Sequence, residues 1–365
     1  LPAGATEKEV VTMESRKDSR ITDLFGIDLP IIQAPMAGAT TPEMVIATSE
    51  AGGLGSLPGA MLTVEQMRSA LDQIRAVTRK PVNVNFFAHA APEPDPSAQM
   101  LWRAALSAYY VELGLDPADA VPSSNRAPFD AAFCEIVEEH RPEVVSFHFG
   151  LPGDALLARV RATNARIIAS ATTVAEARWL EEHGVDAVIA MGYEAGGHRG
   201  NFLSMDMATQ VGTFALVPQI ADAVSVPVIA AGGIADQRGV RAAFELGASA
   251  VQVGTAYLLT PEAKVTEFHR QALRAGGADK TALTNVFTGR PARGFMNRLM
   301  REIGPLSDIA PAFPTAGGAL IPLRTAAEKT GSSDFSSMWS GQAAGLAKER
   351  SAAELTRYLA AAIKE

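Results

Sequence analysis

Asp186-Ala-Val-Ile-Ala-Met-Gly-Tyr-Glu-Ala-Gly-Gly-His-Arg-Gly200 joins an apolar run without polar alternation to a glycine-rich turn carrying one histidine. Such a run reads as a strand buried on both faces. The glycines beyond it let the backbone approach a flat or charged ligand closely. His198 stands where the strand ends, and imidazole is the side chain best suited to moving a proton near neutral pH. Ligand contact and proton chemistry meet within a few residues.

The pattern recurs. Apolar runs occur at 29–34, 53–57, 82–86, 144–149, 166–171, 187–191, 226–231 and 250–254. Helical stretches follow several of them. The one at 63–78 opens on a capping-box sequence, and those at 173–183 and 236–246 end at Gly184 and Gly247, natural C-terminal stops. Eight β/α units imply an α/β fold, a (β/α)8 TIM barrel with function at the C-terminal strand ends. A doubly wound sheet is the alternative, weakened because no G-x-G-x-x-G turn follows the first strand. Two connections exceed ordinary βα loops, 88–142 after the third strand, helical over 101–113, and 261–345 after the eighth. Both leave from C-terminal strand ends, so they are expected to form a helical cap over the site, with peripheral decoration as the competing reading. The stretch 352–365 has helical spacing and is expected to close the barrel. Residues 1–20 are polar, lack a signal-peptide core and read as a loose arm.

Composition narrows the function. The 365 residues are 47% hydrophobic and 20% charged, which supports a sizeable core. A net charge of −8 leaves no basic excess for nucleic acid. Cys134 is the single cysteine, so an intrachain disulfide framework and a multi-cysteine metal site are excluded, and a reducing, cytoplasmic setting is expected. No apolar run reaches membrane-spanning length. Monomer and homodimer both remain open.

Val228-Ile-Ala-Ala-Gly-Gly-Ile234 and Val251-Gln-Val-Gly-Thr255 are the seventh and eighth strands with their turns. Loops at these two positions of a barrel commonly bind phosphate, because side-chain-free amides point at the anion. Tight turning alone is the competing reading. At the first strand, Gln33-Ala-Pro-Met36 offers a rigid turn and a polarisable thioether suited to a planar ring, although Met36 could equally fill core. Asn85, near the end of the third strand, is placed either against a heteroaromatic edge or in a structural hydrogen bond. Of the six histidines, His140, His183 and His269 fall in charged helical stretches and are expected at the surface. His89 has no distinctive context. His148, in Ser146-Phe-His-Phe-Gly150, is either an active-site or a satisfied core residue. No histidine pair has metal-binding spacing, so no catalytic metal is expected. Glu194 is expected to pair with Arg199 or His198, or to be an exposed loop charge.

Gln33-Ala-Pro-Met-Ala-Gly38, Glu194-Ala-Gly-Gly-His-Arg-Gly200, Ile229-Ala-Ala-Gly-Gly-Ile234 and Gln252-Val-Gly-Thr255 together resemble the nitronate monooxygenase family, from about Ile21 onward. Tyr109-Tyr110-Val-Glu-Leu-Gly114, Ser146-Phe-His-Phe-Gly150, Phe287-Thr-Gly-Arg-Pro-Ala-Arg293 and Trp339-Ser-Gly-Gln342 extend the likeness. The resemblance implies an FMN-containing barrel that oxidises alkyl nitronates with O2, to carbonyl compounds and nitrite or nitrate, without NAD(P)H. It implies that Ala34, Pro35 and Met36 line the flavin, and that Asn85 and Gly196 contact it. Gly233, Gln252, Val253, Gly254 and Thr255 would hold the phosphate end. His198 matches the catalytic histidine, and His148 and Tyr109 are candidates for the substrate side. Met191 stands where the family commonly has Gln, which leaves it a main-chain contact only. The FMN barrel is then assigned to 21–262 and 346–365, and the cap and substrate region to 263–345. Two other functions remain: an NAD(P)H-dependent flavin reductase of enoyl thioesters or quinones, and a non-redox phosphate-ligand barrel.

Overall fold

The computed structural model describes residues 18–120, 122 and 126–363. Most of the expected arm lies outside them. The strands are β1 (Ile31–Gln33), β2 (Gly55–Pro58), β3 (Val82–Phe87), β4 (Val144–His148), β5 (Arg166–Ala171), β6 (Ala187–Met191), β7 (Gly197–His198), β8 (Val228–Ala231), β9 (Ala250–Val253), β10 (Thr281–Thr284) and β11 (Ala292–Phe295). Eight are parallel, in the order β1-β9-β8-β6-β5-β4-β3-β2. The β1–β2 seam carries one parallel bridge, Ile32 to Leu54, which brings the two ends of the sheet together. The result is a TIM barrel, nearly closed, whose strands match the apolar runs to within a few residues.

Two apolar layers explain it. Ile32, Leu54, Ile168, Ile189 and Ile229 fill the barrel interior, and Ile21 and Phe25 from the helix Arg20–Phe25 close its floor. A larger cluster lies between the strands and the outer helices. Each fully buried aliphatic side chain contributes about 1.5–3 kcal/mol over leaving it in water. The helix Val64–Val77 carries the expected capping box between Thr63 and Gln66. Gly184 and Gly247 end their helices with φ of 76° and 95°, values that only glycine adopts without strain. The helix Ala352–Ala360 packs on β1 and on the helices Pro42–Glu50 and Gln237–Glu245, linking the first and last units.

Both insertions contribute helices to the cap. Pro96–Glu112 from the first packs through Trp102, Leu106 and Tyr110 on Leu320 and Leu323 from the second. Trp102 Nε1 donates to the Ala316 carbonyl at 3.0 Å, and the Tyr110 hydroxyl to that of Ala319 at 2.6 Å. The cap is not wholly helical, however. β10 and β11 form a hairpin that takes up β7 as a third antiparallel strand. The sequence reading missed this sheet because β7 is two residues long and its partner lies almost a hundred residues away. Within the stretch 263–345, Leu273, Phe295 and Met338 pack into the main core.

Candidate active site

Midway along β2, β3 and β4 the barrel interior turns polar. Asn83 Nδ2 donates to Ser56 Oγ at 3.0 Å and to Ser146 Oγ at 2.9 Å. Asn85 Nδ2 donates to the same Ser146 hydroxyl at 2.9 Å. The amide nitrogen of Asn85 thus has a structural partner within the barrel.

The turn after β6 is held by side chains. Arg199 is completely buried, and donates to Gln210 Oε1 at 3.0 Å, the Gly192 carbonyl at 2.6 Å and the Met191 carbonyl at 2.8 Å. Burial brings its pKa down to about 10, so it stays charged. The main-chain oxygen of Met191 is therefore engaged by Arg199, and its side chain is buried. Glu194 pairs with neither Arg199 nor His198: its carboxylate accepts from the amide and hydroxyl of Thr213, at the start of the helix Thr213–Ala223. The expectation of an exposed or histidine-paired charge is corrected, because an N-terminal helix turn offers unpaired donors that a carboxylate satisfies. Gly196 packs on Gly341 so closely that a Cβ would lie 2.5 Å from the Gly341 nitrogen.

His198 forms β7 and pairs with Ala292 of β11. Its ring lies among Phe87, Phe149, Phe313 and Trp339, with centroids at 6.0, 6.1, 5.3 and 5.5 Å. Its Nε2 lies 2.9 Å from Thr288 Oγ1. Burial, then the charges of Arg126 and Arg290 and the neighbouring His148 and His89, hold its pKa well below the usual imidazole value, so it is neutral. His148 is neutral as well, with burial bringing its pKa down to about 3. Its Nδ1 meets Ser170 Oγ and its Nε2 the His198 carbonyl, both at 3.1 Å. Both ring nitrogens are used inside the protein, and His148 positions His198 through the backbone. Phe149, with φ of 72°, adopts a conformation that costs a non-glycine residue about 1–3 kcal/mol and recurs at functional sites.

The structure does not bring Tyr109 to this group. Its hydroxyl donates to Glu302 at 2.8 Å and its ring packs on Phe335 inside the cap core. Helical spacing places Tyr109 on a buried face but cannot say which core that face joins. His269 is a clearer correction. It is buried, donates from Nε2 to the Trp339 carbonyl at 2.9 Å and has its pKa brought down by burial to about 4. The long second insertion folds back over its helix, which a local reading of charged neighbours cannot detect. His140 is half-buried against Asp72, and His183 is exposed as expected.

Sequence reading missed Thr288, Phe313, Trp339 and Arg290 as neighbours of His198. The segment 287–293 was legible as a motif, but not as the wall behind the histidine. Arg290 stacks 3.9 Å over Phe149 and borders, with His89, Phe149, Met205 and Phe313, a cavity of about 390 Å³ beside the site. Among the described residues no group of three or more His, Cys, Asp or Glu could hold a metal ion, and no helix is long and apolar enough to cross a membrane.

Beside the β6 turn, the ends of β1, β9 and β8 form a different surface. Ala34, Pro35 and Met36 are half-buried. Gly254 lies against them, since a Cβ there would be 3.5 Å from the Ala34 Cβ and 3.7 Å from the Met36 sulfur. Gly233 is exposed with φ of 72°, and Gly232 has φ of 109°. The Gln252 Oε1 is buried and has no partner among the described residues. Thr255 Oγ1 accepts from the Gly341 amide at 2.9 Å, which leaves its own proton free to donate. Small residues, an orphaned acceptor and a hydroxyl donor suit a planar ring carrying an anionic tail, so the chemistry of these strand ends fits a flavin mononucleotide.

Similarity to known proteins agrees with this geometry. The family model described as nitronate monooxygenase matches residues 18–361. A nitronate monooxygenase of Pseudomonas aeruginosa is 43% identical over 342 residues, 93% of this chain and 97% of that protein. Among solved structures, a nitroalkane oxidase from Streptomyces ansochromogenes superposes with a TM-score of 0.85 at 37% identity, covering 95% of this chain and 98% of that one. FabK from Thermotoga maritima superposes with a TM-score of 0.69 at 28% identity, covering 94% and 96%. With the barrel, the glycine-lined strand ends and the half-buried histidine in place, a match over nearly the whole length means that this chain belongs to the nitronate monooxygenase family, a family of oxidoreductases.

Proposed function

We propose that the protein binds FMN and oxidises alkyl nitronates with O2 to carbonyl compounds and nitrite or nitrate, without NAD(P)H. The observation that carries this reading is His198, a neutral imidazole walled by aromatic rings, on a turn that packs beside the glycine-lined ends of β8 and β9. The family is one of flavoenzymes, and the relatives and structural neighbour are named for nitronate and nitroalkane oxidation. When bound, FMN supplies the electron acceptor and the site of O2 chemistry.

The chain's own residues bind, orient and handle the proton. Ala34, Pro35 and Met36 form the wall against the ring, with Asn85, Met191 and Gly196 around it. Gly233, Gln252, Val253, Gly254 and Thr255 hold the phosphate end. His198 takes the α-proton of a neutral nitroalkane, a role for which a neutral imidazole is required, and once protonated can donate to the nitro oxygens of the nitronate. Phe87, Phe149, Phe313 and Trp339 exclude water from the reacting carbon. His148 keeps the His198 backbone in place. No substrate contact is assigned to Tyr109, whose hydroxyl is committed to Glu302.

Absorbance of the purified protein and oxygen uptake test the reading. The expected protein is yellow, releases FMN on denaturation and consumes O2 with ethyl nitronate in the absence of NADH. A colourless protein that cannot be reconstituted overturns it. Rapid bleaching by NADH with no response to nitronate assigns the chain to the reductase function instead.

A further inference from the structure

His198 is gripped twice, from different elements. His148 on β4 donates to its carbonyl and fixes the main chain. The ring is held separately by Thr288, in the turn between β10 and β11. Thr288 is almost fully buried, and its hydroxyl has a second neighbour, the Arg290 carbonyl at 3.4 Å. A carbonyl can only accept, so this contact draws the hydroxyl proton towards Arg290 and turns a lone pair of Oγ1 to the imidazole. The imidazole must then donate from Nε2. Its Nδ1 makes no hydrogen bond among the described residues and, unlike both ring nitrogens of His89, is not sealed from solvent.

We propose that Thr288 is a positioning residue that holds His198 as its Nε2–H tautomer and so presents the Nδ1 lone pair to the cleft. The consequence for catalysis rests on the reading of His198 as a base. In that step the α C–H bond of a nitroalkane breaks and its proton passes to Nδ1. The electron pair moves through carbon onto the nitro group, which leaves a nitronate and an imidazolium. The other tautomer would present an N–H to the same carbon and could not accept the proton. Thr288 and His148 thus divide the work: one sets which nitrogen is free, the other where the residue stands.

The test is two-bond ¹H–¹⁵N correlation on ¹⁵N-histidine-labelled holoenzyme, with the His198 signals assigned by their loss in His198→Asn. The wild-type protein is expected to show a single Nε2–H pattern for His198. An Nδ1–H pattern overturns the proposal. Thr288→Val is expected to mix the tautomers and Thr288→Ser to restore the single one; a Val variant that keeps the single Nε2–H pattern removes Thr288 from the role. If Thr288→Val fails to fold or retain flavin, Thr288→Ala takes its place under the same criteria. In steady-state kinetics the ratio of kcat/KM for nitroethane to that for ethyl nitronate is expected to fall about tenfold in Thr288→Val, in line with loss of one buried hydrogen bond, and to stay within about twofold in Thr288→Ser. An unmoved ratio in the Val variant overturns the catalytic consequence. Absence of any nitroethane turnover in the wild type counts against the base reading alone, since the tautomer is decided by the spectra.

Discussion

The turn after β6 and the turns after β8 and β9 are built from similar residues and are held in opposite ways. In the first, the polar side chains have internal partners: Arg199 on Met191, Gly192 and Gln210, Glu194 on Thr213, and one nitrogen of His198 on Thr288. At the second, Gly233 is exposed and Gln252 Oε1 has no partner among the described residues. The first region is fixed so that one side chain stands in one place. The second leaves one acceptor and small residues open, as the proposed binding of a flavin there requires. Glycine serves both, as a close backbone contact at Gly196 against Gly341 and as bare main chain at Gly233.

The contrast can be broken or sharpened experimentally. His198→Asn is expected to have the largest effect, lowering turnover of neutral nitroalkanes by roughly 10²–10⁴-fold and of preformed nitronates by less, measured by oxygen uptake. Equal losses on both substrates would place His198 among the binding groups only. Arg199→Met should come next. It leaves two carbonyls without their buried donor, with an expected loss of about 3 kcal/mol in urea unfolding. A neutral result would show that the β6 turn does not depend on its internal partners. Gly233→Ala should act on the ligand and hardly on the fold. Its φ of 72° strains an alanine by about 1 kcal/mol, yet the nearest heavy atom would be 3.6 Å away. Flavin affinity is expected to fall about five- to tenfold by fluorescence titration, with urea stability changed by no more than about 1 kcal/mol. Equal effects on affinity and stability would erase the distinction between the two regions.

The smallest expected effect comes from outside both. Burial brings the pKa of His269 down to about 4, below its unfolded value. Between these values the unfolded chain binds more protons, so the contribution of His269 is complete above about pH 6.5 and is lost as pH falls towards about 4. His269→Gln keeps a donor for the Trp339 carbonyl and should make stability less steep across that window, by less than about one proton equivalent. Thermal unfolding between pH 4 and 7 reads this directly, and an unchanged slope would mean that His269 does not titrate on unfolding.

Much of the barrel was legible because its cause is local. A strand buried on both faces must be apolar throughout, as at 187–191 and 228–231, and a helix must stop where only glycine fits, as at Gly184 and Gly247. The glycine-rich strand ends were legible for the same reason. The surroundings of His198 were not. Thr288 and Phe313 lie about 90 and 115 positions along the chain from it, inside an insertion whose path depends on a two-residue strand. His269 and Tyr109 were misplaced because charge and helical spacing describe one face of one element, whereas burial depends on what folds over it.

The amino-acid sequence by itself determined the alternation of strand and helix, the barrel and its glycine-rich strand ends, since each follows from the chemistry of a few consecutive residues. Only the tertiary structure decided what His198 touches, why both nitrogens of His148 are engaged within the protein, and that the cap lends a strand to the turn that carries His198. Those are contacts between distant segments, and their geometry is set when the cap closes over the barrel.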